Sequence, residues 1–143
     1  MFELVERLER MGQINRDIRE AAATAVADSD RLVQLRADFN FECNELLNNL
    51  TGLMTEQDGT SLVSRMQDEV VSLHQILSQF QQRWTIAEIK VDPDGYFSGS
   101  SEVHTYILGY IENSLSSLAL AATPIGLALA IAPDDGAALV GPY

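Results

Sequence analysis

Asp28-Ser29-Asp30 interrupts a row of apolar residues that otherwise recurs in steps of three and four: Leu4, Leu8, Met11, Ile14, Ile18, Ala22 and Ala25 precede it, and Leu32, Leu35, Phe39, Cys43, Leu46 and Leu50 follow. Such steps trace one face of a helix. The short polar side chains of the interruption suit two structures, a cap that starts a second helix or a local defect on one uninterrupted rod. The regular spacing on both sides favours the rod, with a single helix expected from Phe2 to Met54. At 1.5 Å per residue it would be about 80 Å long, too long to cover its own stripe within a small globule. Glu3 with Arg7 and Glu6 with Arg10, each four apart in the favourable order, fit its solvated face.

Beyond it, Glu56-Gln57-Asp58-Gly59-Thr60 is a turn cluster, and a second stripe runs through Leu62, Met66, Val70, Leu73, Leu77, Phe80 and Trp84. A helical hairpin with arms of unequal length follows, coiled-coil-like in its patterning. The uncovered part of the longer arm then needs a partner. Leu4, Leu8, Ile14, Ile18, Leu32, Leu35, Phe39, Leu46 and Leu50 are the expected oligomer interface. Each such side chain left exposed forgoes roughly 1.5–3 kcal/mol, a real drive to associate.

After Trp84 the pattern changes. Ile86-Ala87-Glu88-Ile89-Lys90-Val91 is rich in branched residues and meets Asp92-Pro93-Asp94-Gly95 and then Tyr96-Phe97, which predicts a small β-hairpin. A third helical stripe of Val103, Ile107, Tyr110, Ile111, Leu115 and Leu118 is capped on this reading by Ser100 or Ser101, with Glu102 in its first turn. The chain thus divides into residues 1–84, a helical oligomerisation hairpin, and 85–143, a hairpin, a helix and an apolar docking region. The fold class is mainly α.

Residues 113–133 carry no charge, and their 21 positions match the length of a bilayer span. Pro124, Gly126 and acidic flanks without Lys or Arg argue against one. Within this segment Ile125, Leu127, Leu129 and Ile131 alternate with Gly126, Ala128, Ala130 and Ala132, giving a bulky and a small face that suit docking between protein surfaces. Helix and strand are both compatible with it.

The formal net charge of −12 excludes the basic surface that nucleic-acid binding requires. All nine cationic residues lie at or before Lys90, so the acidic character is strongest toward the C-terminal end. One cysteine, Cys43, excludes an intrachain disulfide and reads as a small buried hydrophobe. The charged, apolar-periodic start lacks the layout of a secretory signal, so cytoplasmic synthesis is expected, with a virion as one final location and the location otherwise open.

Candidate chemistry is sparse. His74 and His104 have no His or Cys at metal-ligand spacing, and Glu42, Glu45, Asp68 and Glu69 lack the Glu-x-x-His elements of carboxylate-bridged metal bundles. Residues 92–102 open as Asp-x-Asp and close on Glu, like a calcium loop, but Phe97 and Val103 stand where an EF-hand needs Gly and Glu. No nucleophile elbow or phosphate loop occurs in the sequence. No catalytic residue, metal or cofactor is therefore expected. The sequence points to a structural or assembly subunit, such as a phage head, neck or tail component or a secretion-apparatus subunit, acting through helix packing and C-terminal docking. A membrane-acting oligomer inserting residues 115–131 and a soluble helical adaptor or assembly chaperone are the alternatives.

Overall fold

The computed structural model describes residues 2–24, 26, 28–56 and 61–121. Five helices occupy them: α1 Phe2–Ala22, α2 Ser29–Glu56, α3 Ser61–Arg83, α4 Ile86–Val91 and α5 Pro93–Ala121. Among the described residues there is no strand, so the mainly α class holds.

The expected rod from 2 to 54 is two helices. Ala23 N–H bonds the Glu20 carbonyl and Thr24 N–H that of Ala21, tightening the last turn of α1. The Asp28 carboxylate then accepts the Arg31 backbone N–H at 3.3 Å, which caps α2. The polar interruption is a helix start, and the chain doubles back through it. Arg7 reaches Asn49 and Glu42 while Glu20 faces Arg31, so α1 and α2 run antiparallel.

The same logic orders the remaining helices. Asn40 bonds Gln81 and Gln67 bonds Thr51 across an antiparallel α2–α3 seam. Asn15 donates to the His104 carbonyl and Arg19 to that of Phe97, setting α5 antiparallel to α1. The Tyr110 hydroxyl donates to the Met66 carbonyl across α3 and α5. The long helices thus form an up-down-up-down bundle, with α1 and α3 each lying between α2 and α5. Neighbouring helices cover one another's stripes, so the length mismatch expected of a two-armed hairpin does not arise. Residues 85–121 belong to the same bundle, because Ile107, Tyr110, Ile111 and Leu118 of α5 share a core with Leu4, Leu8 and Met11 of α1.

The β-hairpin expected after Trp84 is also replaced by helix, and the caps explain why. Thr85, in extended backbone, accepts the Glu88 N–H on its hydroxyl at 3.3 Å, half of a Thr-x-x-Glu capping box. Ile89 is buried and Ile86 half-buried, three apart, whereas Val91 is 80% exposed. The burial period is that of a helix in spite of the branched residues. Asp92 ends α4 and caps α5, its Oδ1 accepting the Gly95 N–H at 2.9 Å. Pro93 fills the first helical position, where its missing N–H costs nothing. A Cβ on Gly95 would collide with the Asp92 carboxylate, so glycine leaves room for the cap. Ser100 and Ser101, expected as caps, lie inside α5. The segment 92–102 is a helix start and not a loop that could encircle calcium.

Two apolar clusters fill the bundle. The larger runs from Leu4, Leu50, Leu62 and Leu118 at one end to Phe39, Leu77 and Ile107. The smaller closes the α4 end with Ala21, Leu32, Trp84, Ile89 and Tyr96. Tyr96 sits there between Phe80 and Trp84, with ring centroids 5.9 and 5.8 Å away. A polar layer lies between the clusters.

Candidate interaction face and interior polar layer

Leu4, Leu8, Leu32, Phe39, Leu46 and Leu50, expected as an oligomer interface, are fully buried inside the chain's own bundle. Ile14, Ile18 and Leu35 are half-buried against the same clusters. These nine residues are core, because α2 folds back on α1 and α5 covers the other side. Ile125, Leu127, Leu129 and Ile131 lie outside the described residues.

The outer surface divides by chemistry. Along α1 the exposed positions are mostly ionised: Glu3, Glu6, Glu9, Arg10, Arg16 and Glu20. The corresponding stripe of α2 opens on Asp30 and continues through Val33, Ala37, Phe41, Asn44, Asn48 and Thr51, all exposed and uncharged after Asp30. Asp38, Glu42 and Glu45, spaced four and three apart, share instead the side of α2 turned toward α1. Glu42 is buried there, 2.6 Å from Arg7 and 3.3 Å from Arg10. On α3 the side facing α2 is likewise uncharged, with Gln67, Val71, His74 and Ser78 at helical spacing. Phe41 is 59% exposed and Val71 41%. Between the two helices runs a groove of about 190 Å³, lined by Asn44, Leu47, Val70, Val71, His74 and Gln75, with Cys43 at its floor. Exposed aromatic side chains are enriched at interface centres. The apolar period passes over Phe41 and Val71, since neither belongs to a core stripe. Their signal is exposure on adjacent helices, legible only once α2 and α3 are known to be neighbours.

Between the helices, a cavity of about 30 Å³ is lined on one side by the apolar Ile18, Leu77, Phe80, Val103 and Ile107 and on the other by Asn15 and Arg19 of α1, Arg36 of α2, Gln81 of α3, and Tyr96, Ser100 and His104 of α5. Arg19 donates to the Phe97 carbonyl at 2.9 Å, stacks 3.8 Å from the centre of the Phe97 ring and lies 3.5 Å from Ser100 Oγ. Arg36 Nη2, Gln81 Nε2 and His104 Nδ1 are buried without a hydrogen-bond partner. Burial raises the Tyr96 phenol above its ordinary range, although the Arg36 and Arg19 guanidiniums pull against it. The phenol is therefore neutral at physiological pH. Sequence spacing gave no hint of this layer, because its members are spread over four helices and about 90 positions.

Among the described residues no three His, Cys, Asp or Glu side chains come together to hold a metal. Cys43 is buried, its thiol pushed up to about 12 by burial and then by the neighbouring Glu42 charge, so it stays protonated and unreactive at neutral pH. No described helix is long and apolar enough to cross a membrane. Of the segment 115–131, α5 carries residues up to 121 and the remainder lies outside the described residues. Comparison with protein-family models, with curated proteins and with solved structures finds no match.

Proposed function

We propose that this chain is a non-enzymatic assembly subunit that associates through the α2–α3 face, in the first instance with a second copy of itself. The observation that carries the proposal is the pair of exposed apolar side chains Phe41 on α2 and Val71 on α3, the latter lining a groove whose lining residues carry no formal charge. Two chains of net charge −12 repel, and a contact centred on Phe41, Asn44, Val71 and Gln75 places neutral side chains at its middle. A two-fold arrangement would set Phe41 of each copy against the partner's groove, a self-complementary contact that closes on itself. The uncharged stretch 113–133 is then a second docking element, directed at other components of a larger particle.

Light scattering coupled to size exclusion, at micromolar concentration, tests this reading. The full chain should show a mass that is a multiple of 15.7 kDa, and Phe41→Lys should return it to 15.7 kDa with its helical circular dichroism unchanged. A wild-type mass of 15.7 kDa with a cooperative melt overturns the proposal.

A further inference from the structure

We propose that the interior cavity between α1, α2, α3 and α5 binds a small monovalent anion of halide or nitrate size. Two guanidiniums, Arg19 and Arg36, line it from different helices. Among the described residues neither makes an ion pair, since the four that form join Arg7, Arg10, Arg31 and Arg83 to Glu42, Glu20 and Glu88. The layer therefore gathers positive charge in a chain that is otherwise strongly acidic. It also gathers unused hydrogen-bonding atoms: Arg36 Nη2, Gln81 Nε2 and His104 Nδ1 are all buried and unpartnered. Two of the three are obligate donors, and the third becomes one in the tautomer that carries its proton on Nδ1.

Size and charge together select the ligand. A cavity of about 30 Å³ has space for roughly one or two water-sized bodies, which excludes nucleotides, sugars and phosphate esters. Water would satisfy the N–H groups but leave both guanidinium charges uncompensated. A small anion does both, because charge-assisted hydrogen bonds to guanidinium are the stronger kind. Tyr96 cannot supply the negative charge, being neutral where it lies. Both arginines are half-buried, so the site is only one side-chain layer below solvent.

Thermal unfolding of the full chain at constant ionic strength, with bulky isethionate replaced stepwise by chloride, bromide or nitrate, tests the site. Holding ionic strength fixed removes the general screening that any chain of this charge would enjoy. The melting temperature should rise with the small anion, by about 5 °C at a tenfold excess over Kd. Arg36→Gln should abolish the rise. Gln81→Glu, nearly isosteric, places a carboxylate in the cavity, and should remove the anion response while raising the melting temperature in isethionate. This second variant keeps the test decisive if Arg36→Gln fails to fold. An unchanged wild-type melting temperature would mean a water-filled cavity and overturn the proposal, as would an equal rise in either variant.

Discussion

The solvent side of α1 and the solvent side of α2 with α3 belong to one bundle and cover the same core, yet they are built from opposite materials. Glu3, Glu6, Glu9, Arg16 and Glu20 make the first a hydrated, ionised surface, where Gln13 donates to Asp17 at 3.0 Å and Arg16 to Gln13 at 2.9 Å. The second has its charges, Asp30 and Asp68 among them, set around a run of neutral side chains, Asn44, Asn48, Thr51, Gln75 and Gln82, with Phe41 and Val71 exposed among these. Core packing demands nothing of either surface. Under the proposed assembly role the first surface meets water and the second a desolvating protein surface.

The sharpest way to break this comparison is to put a charge on each side of the same helix. Leu46→Asp buries an unpaired carboxylate in the core and should cost roughly 4 kcal/mol, whereas Phe41→Asp on the monomer should stay within about 0.5 kcal/mol. Urea unfolding at dilutions where the chain is monomeric measures both. Equal costs would mean that Phe41 is a structural residue.

Next in size is the buried ion pair that joins α1 to α2. Arg7, at 13% side-chain exposure, holds Glu42 at 7%, so Arg7→Met should lose about 3 kcal/mol even though Arg10 remains in reach. Arg16→Met, on the exposed side of α1, should change little. A denaturation midpoint for Arg7→Met close to that of wild type would show the clasp to be dispensable.

Alkaline stability tests the floor of the groove. Cys43 keeps its proton in the fold to about pH 12 but gives it up near 9 when unfolded. Its contribution is thus fully present below pH 9 and lost as pH rises toward 12, by about 1.4 kcal/mol per pH unit. Around pH 9, where unfolded tyrosines with an ordinary value near 10 still hold most of their protons, Cys43→Val should flatten that decline. An identical slope in the variant would place the thiol in a more hydrated setting than the buried one described.

The smallest effect concerns the α4 end. Asp92→Ala removes the side-chain cap of α5 and should cost about 1 kcal/mol without altering association, since α4 lies away from the α2–α3 groove. Urea midpoints and light-scattering mass, read together, would expose any coupling between the two.

Much of the core was legible because its signal is periodic. Leu4, Leu8, Phe39, Leu46, Leu50, Met66, Leu73 and Ile107 all fall on stripes that the spacing alone marks, and all are buried. The stripe does not say what covers it. Asp28-Ser29-Asp30 suits a cap as well as a defect in a rod, and only the Asp28 carboxylate on the Arg31 N–H decides between them. That ambiguity turned six fully buried core residues into an expected interface. Ile86–Val91 misled in a similar way, because branched residues favour strands on average while the Thr85 cap and the burial of Ile89 against its neighbours favour a helix here. The α2–α3 face and the Arg19–Arg36 layer depend on which helices are neighbours, a fact of tertiary structure that no local spacing encodes.

Site-specific photocross-linking tests the central contrast most directly, with a benzophenone side chain placed at Phe41 or Val71 on one surface and at Gln13 or Arg16 on the other, in the otherwise intact chain. Chain-to-chain products should form from positions 41 and 71 at micromolar concentration and be nearly absent from 13 and 16. Equal yields from the two surfaces, products confined to α1, or no product at any position would contradict the account.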